Sequence, residues 1–125
     1  GTNIHYLLET IDFINPNYDN LTNNEIDIIK SLLNNELFKN IKDANIFKEY
    51  EFIEETDNET KTGIIDLMLE YQDHIDIIDY KLKHIDDKAY INQLNGYKNY
   101  IHNLTNKPVN TYLYSILDKK LFKLD

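Results

Sequence analysis

Residues 63–83 read GIIDLMLEYQDHIDIIDYKLK. Two apolar runs flank a short polar break at Gln72-Asp73, a pattern that predicts strands over 63–71 and 75–83 joined as a hairpin. Charges interrupt the runs at Asp66, Asp79 and Lys81. Side chains alternate between the two faces of a strand. Ile75, Ile77, Asp79 and Lys81 therefore share one face of the second strand. Ile64, Asp66, Met68 and Glu70 share one face of the first. A two-residue turn pairs Tyr71 with His74 and Met68 with Ile77, and it sets Asp66 opposite Asp79. A register shifted by two keeps the same faces and places the acids on a diagonal. Neither Gln72 nor Asp73 favours the positive φ of the tightest hairpin turns, so the pattern fixes the faces more firmly than the register.

Directly opposed Cβ atoms stand about 4.5–5.5 Å apart. Two carboxylates at that spacing repel, and one is pushed to take up a proton. Lys81 offsets part of the repulsion and a divalent cation offsets much more. Oxygen ligands completed by water suit Mg²⁺ or Mn²⁺. The competing reading of the same residues is a solvated face with a simple Asp79–Lys81 contact.

Outward from the hairpin, Ile4, Leu7, Leu8, Ile11 and Phe13/Ile14 recur at helical spacing, and Asn15-Pro16 closes that helix. Thr22 and Glu25 form a capping box ahead of an amphipathic helix carrying Ile26, Ile29, Leu32, Leu33 and Leu37. A short turn or helix passes through Ile41 and Asp43. Residues 46–54 read as a strand and 57–62 as a polar turn. Asp86-Asp87 opens a helix from about Lys88 to Leu104 with Tyr90, Ile91, Leu94, Tyr97, Ile101 and Leu104 on its apolar stripe. Pro108 precedes a strand over 109–117, and residues 119–125 suit a last edge strand. Helices, three strands, a helix and a strand in that order predict an α/β fold with a mixed β-sheet flanked by helices.

A chain of 125 residues suits one domain with one core. No apolar run is long enough to span a bilayer and no signal peptide is visible, so no membrane partner is expected. The chain has no cysteine, which excludes disulfides and thiolate metal sites and fits a cytoplasmic location. It begins at Gly1, within a helical pattern, which suggests a piece of a longer protein. The formal charge is −9, whereas free-standing nucleic-acid binders usually carry the opposite sign.

Several short motifs together resemble the PD-(D/E)XK nuclease superfamily in its RecB-like branch, as found at the C-terminus of AddA-type (UvrD-like) helicase–nucleases. Gly1-Thr2-Asn3-Ile4-His5 with Leu7-Leu8-Glu9 resembles that branch's helical histidine motif. Glu49-Tyr50-Glu51-Phe52 is similar to its E-x-x-F strand, Gly63-Ile64-Ile65-Asp66 to its G-x-x-D strand, and Asp79-Tyr80-Lys81 to its D-Y-K strand. Tyr90-Ile91-Asn92-Gln93-Leu94-Asn95-Gly96-Tyr97 is similar to its Y-x-x-Q-L-x-x-Y helix, and residues 109–115 fit the closing strand. The order is right and the motifs cover nearly the whole chain. Two features depart from the pattern: the four cysteines of the iron–sulfur members are missing, and Leu82 follows D-Y-K where Thr is frequent.

The resemblance implies a restriction-endonuclease-like fold over residues 1–125 and a Mg²⁺- or Mn²⁺-dependent deoxyribonuclease without an iron–sulfur cluster. It implies DNA as substrate, exonuclease action in DNA repair or recombination, and a helicase in the same chain or complex that delivers the strand despite the acidic charge. Asp66 and Asp79 become metal ligands, joined by the Tyr80 backbone carbonyl and His5. Lys81 positions or activates the attacking water, or stabilises transition-state charge. Gln93 and Tyr97 support the site against Lys81, a water or the DNA backbone. Glu49 holds a water or a second ion, with Glu51 competing for that role. His74, His84 and His102 read as turn or surface residues. The alternative function is an inactive nuclease-fold domain that serves DNA or protein interaction.

Overall fold

A computed structural model describes residues 2–83 and 88–124. The expected helix start at Asp86-Asp87 lies outside the described residues, as do His84 and Gly1. Along the chain run α1 (Thr2–Thr10), α2 (Asn23–Leu33), two short 3₁₀ turns (Glu36–Phe38 and Ile41–Asp43), β1 (Asn45–Glu55), β2 (Thr60–Glu70), β3 (Ile75–Lys81), α3 (Lys88–Thr105), β4 (Val109–Ser115) and β5 (Lys120–Lys123). The strands form one sheet in the order β1-β2-β3-β4-β5. All neighbours are antiparallel except β3 and β4. Their parallel pairing follows from the α3 crossover between them. The fold is thus a mixed α/β sheet flanked by helices, as the element order predicts.

Each face of the sheet has its own apolar cluster. Leu67, Leu69, Ile78, Tyr80 and Tyr114 pack against α1 and α2 through Leu8, Ile29 and Leu32. Met68, Ile75, Ile77 and Val109 pack against α3 through Leu94, Tyr97 and Ile101. Burial on both faces explains why β3 reads as a nearly unbroken apolar run, with all six residues from Ile75 to Tyr80 buried.

Helix α2 starts at the expected capping box, in which Thr22 and Glu25 each accept from the other's backbone N–H. Two helices are shorter than the apolar spacing suggests. α1 stops at Thr10, and the Asp12 carboxylate then accepts from the N–H groups of Ile14 and Asn15, fixing a turn before Pro16. α2 stops at Leu33, and Leu37 belongs to the next turn, which Asn35 caps by accepting from the Leu37 N–H. In both places a short polar side chain competes for the backbone donors.

The hairpin has the two-residue register: Met68 pairs with Ile77 and Leu67 with Ile78, and the Tyr71 N–H donates to the His74 carbonyl at 2.8 Å. Gln72 and Asp73 both avoid positive φ. The ladder between β2 and β3 ends at Leu67–Ile78, while β1 and β2 stay paired out to Glu55 and Thr60. From that point the β1–β2 ribbon leaves the sheet as a two-stranded arm, and a cleft opens between the arm and β3.

Strict alternation fails where the arm departs. The β1–β2 register passes over Glu49 and Asp66, and Glu49 has φ 50°. Beyond this kink Ile65 packs in the α3 cluster together with Met68, and Ile64 is exposed. The expected common face of Ile64, Asp66 and Met68 is therefore corrected. A β-branched-rich strand alternates only while its backbone stays extended, and a left-handed residue in the partner strand breaks that periodicity.

Candidate active site

The cleft has a volume of about 380 Å³ and is lined by residues that include His5, Asp66, Asp79, Lys81, Gln93 and Tyr97. Asp66 lies on β2 at the point where the arm diverges from the sheet. Its Oδ2 accepts from the Tyr80 N–H at 2.9 Å. That bond satisfies a β3 donor which a continuing β2 backbone would otherwise take, so the carboxylate terminates the ladder as it enters the site.

Asp79 lies near the end of β3, one residue before the last buried position, and its carboxyl lies within hydrogen-bonding reach of Asp66. Burial raises the pKa of both acids. For Asp79, burial and then the facing Asp66 charge push it up to about 7. The pair therefore shares one proton near neutrality, as opposed acids on one face should. Tyr90 holds the outer side of Asp79, donating from its hydroxyl to Oδ2 at 2.7 Å. The Lys81 ammonium is 3.8 Å from the same oxygen and sits over the Tyr90 ring, 4.6 Å from its centre.

Helix α1 brings His5 across 75 positions of sequence. Its Nε2 is 3.1 Å from the Tyr80 carbonyl oxygen and 4.0 Å from Asp66 Oδ2. Imidazole nitrogen, main-chain carbonyl and carboxylate thus converge on one region. Among the described residues, no three His, Cys, Asp or Glu side chains converge tightly enough to hold an ion unaided. The donors fit a Mg²⁺-type ion all the same, because such an ion needs only one or two carboxylates and keeps several waters. The meeting of the half-buried Asp66 with the buried Asp79 is the physical sign of that fit, since a divalent charge offsets both the burial and the repulsion that raise the Asp79 pKa.

On α3 the Gln93 amide donates to the Tyr97 hydroxyl at 2.9 Å, and both residues line the cleft. The α3 residue that meets Lys81 is Tyr90, the first residue of the Y-x-x-Q-L-x-x-Y motif, for which the sequence reading gave no role. Its position three residues before Gln93 and seven before Tyr97 puts it on the same helical face. Glu49 is half-buried, with its pKa raised by burial, by Glu9 and by Asp79, and lowered by His5. Glu51 is exposed and lies on the arm. Glu49 is thus the glutamate in the field of the site. Its neighbour Glu9, one turn beyond His5 on α1, stands in the histidine motif but was given no role by the sequence.

Gly63 lies where the arm crosses α3. An added Cβ there would stand 2.6 Å from the Phe52 ring and 2.7 Å from the Tyr97 ring. Close approach of the arm to the helix, not a special φ, requires glycine at this position.

The two histidines read as peripheral lie outside the cleft. His102 is exposed and bonds the Lys107 carbonyl. His74 sits in the hairpin turn between Asp73 and the buried Asp76. A larger cavity of about 1000 Å³ opens at that turn, at the far end of β3. Its buried acid is satisfied by Asn110 and His74, so it offers no reactive group comparable to the Asp66–Asp79 pair. The chemistry, rather than the volume, selects the smaller cleft.

Among the described residues no helix is long and apolar enough to cross a membrane. Neither protein-family models nor curated proteins give a match to this chain.

Proposed function

We propose that this chain is a Mg²⁺- or Mn²⁺-dependent deoxyribonuclease domain, of PD-(D/E)XK type, that hydrolyses phosphodiester bonds in the cleft between the β1–β2 arm and β3. The observation that carries this reading is the meeting of the half-buried Asp66 carboxyl with the buried Asp79 carboxyl, with Lys81 beside them at the end of β3. Asp66, Asp79 and the Tyr80 carbonyl would hold the ion, with His5 beside them. A bound divalent ion neutralises phosphate charge and acidifies a water for attack on phosphorus.

The protein's own groups supply the rest. Tyr90 orients Asp79 through its hydroxyl and supports the Lys81 side chain through its ring. Lys81 presents an ammonium at the edge of the acid pair, where it positions the attacking water or stabilises charge on the phosphoryl oxygens. Gln93 and Tyr97 bond one another and offer polar groups to the phosphate backbone. The formal charge of −9 opposes binding of a polyanion. The reading therefore includes a helicase partner that brings the strand to the cleft, in DNA repair or recombination and in exonuclease mode.

The test is cleavage of single-stranded DNA at low salt with Mn²⁺. Lys81 is half-exposed at a strand end, so Lys81→Ala should keep the wild-type melting temperature within a few degrees and abolish cleavage. Asp66→Ala and Asp79→Ala should abolish it as well, and the double variant should be no worse than either. Equal cutting by wild type and Lys81→Ala would refute the mechanism. If the wild type is inert even when joined to a helicase partner, the inactive interaction-domain reading replaces it.

A further inference from the structure

The outer face of the β1–β2 arm carries two exposed isoleucines beside Glu51 and Thr62. Ile53 is 64% exposed and Ile64 48% exposed. They line a cavity of about 620 Å³ together with Glu51, Phe52, Thr62 and Tyr100. The Tyr100 ring is stacked on Phe52 at 4.4 Å between centres and 21° between planes, so its orientation is set in advance. Phe52 in turn meets Tyr97 edge-on at 5.4 Å, and the Tyr97 hydroxyl belongs to the catalytic cleft. Thr62, Gly63 and Ile64 line both cavities. The apolar surface is thus continuous with the place assigned to the scissile phosphate, and an aromatic series holds the two at a fixed separation.

We infer that the cavity holds a nucleobase platform, in which Tyr100, backed by Phe52, takes the base of a nucleotide flanking the scissile phosphate of a single strand. The inference rests on the nuclease reading of the adjacent cleft and names its substrate as unpaired. A paired base is already stacked within its duplex and cannot lie on the arm. Stacking and apolar contact are independent of charge. They supply affinity that a chain of charge −9 does not obtain from phosphate contacts.

The experiment measures binding of the intact chain, in Ca²⁺, to fluorescent oligothymidylate and to a strand of equal length made of abasic sites. The wild type should prefer thymidylate by about tenfold, the contribution expected of roughly one stacked base. Tyr100 lies outside the cleft and is only part-buried, so Tyr100→Leu should fold and keep an apolar side chain against Phe52 with no ring to stack. It should bind the abasic strand as wild type does and lose the preference for thymidylate. Equal wild-type affinity for the two strands, no binding to either, or a preference that survives in Tyr100→Leu overturns the platform. In those cases the apolar face would belong to a protein partner. Cleavage in Mn²⁺ is scored in parallel. Cleavage without base preference removes the platform alone, whereas base preference without cleavage, even when the chain is joined to a helicase partner, removes the nuclease reading and leaves only a single-strand binding surface.

Discussion

Replacing Asp79 by asparagine should stabilise the metal-free protein above neutral pH and destroy its response to divalent ions. Asparagine keeps the shape of the side chain. Its carbonyl can accept from the Tyr90 hydroxyl and its amide can donate to Asp66, so both contacts of the protonated acid survive. The wild-type group has a folded pKa of about 7 against an ordinary value of 3.8. A carboxyl raised in this way contributes its stability in full below pH 3.8 and loses it as pH rises through about 7, because the folded state binds the proton more tightly than the unfolded chain. That interval, at about 1.36 kcal/mol per pH unit, corresponds to about 4 kcal/mol lost by pH 8. For a chain of this length each kcal/mol shifts Tm by about 4 °C, so the variant should melt up to about 15 °C above wild type at pH 8 in a chelator. This is an upper bound, since water entering the cleft solvates the second charge. Near pH 4 the two should melt together. Mn²⁺ should raise Tm for the wild type and leave the variant unmoved, by preferential binding to the folded state. Calorimetry of both proteins across pH 4–8, with chelator and with Mn²⁺, reads all of this. A melting point for Asp79→Asn at or below that of wild type at pH 8, or parallel pH profiles for the two proteins, refutes the shared-proton argument.

Two further outcomes follow from neighbouring contacts. The Tyr90 hydrogen bond lowers the Asp79 pKa, so Tyr90→Phe should raise it further and move the onset of Mn²⁺ stabilisation to higher pH; an unmoved onset in a Tm-against-pH series contradicts the bond's role. The two glycines of the described chain should respond oppositely to alanine in urea denaturation. Gly63→Ala drives a methyl into Phe52 and Tyr97 and should lose about 1–3 kcal/mol, whereas Gly96→Ala meets nothing within 4 Å in mid-helix and should gain about 0.5–1 kcal/mol. Similar responses at both positions would show that arm and helix do not approach as described.

Much of the local architecture was legible in the sequence. Alternation of Ile75, Ile77 and Asp79 against the run ending at Tyr71 narrowed the hairpin register to the two-residue turn or a shift by two, and the structure takes the first, with Met68 opposite Ile77. Thr22 and Glu25 announced the start of α2 because capping is a contact between near neighbours. The acids Asp66 and Asp79 could be placed near each other because they are equidistant from the turn, although strand pairing stops at Leu67–Ile78 and only their carboxyls meet. What the sequence could not supply is whatever depends on chain segments far apart. His5 reaches the Tyr80 carbonyl only because α1 packs on one face of β3, and Tyr90 reaches Asp79 only because α3 covers the other. The left-handed Glu49, which ends alternation and sends the arm away from the sheet, leaves no trace in the pattern, since glutamate has no preference for that conformation. Periodicity and capping are set by residues within a few positions of one another. The cleft is set by where the sheet stops pairing, and only tertiary packing decides that.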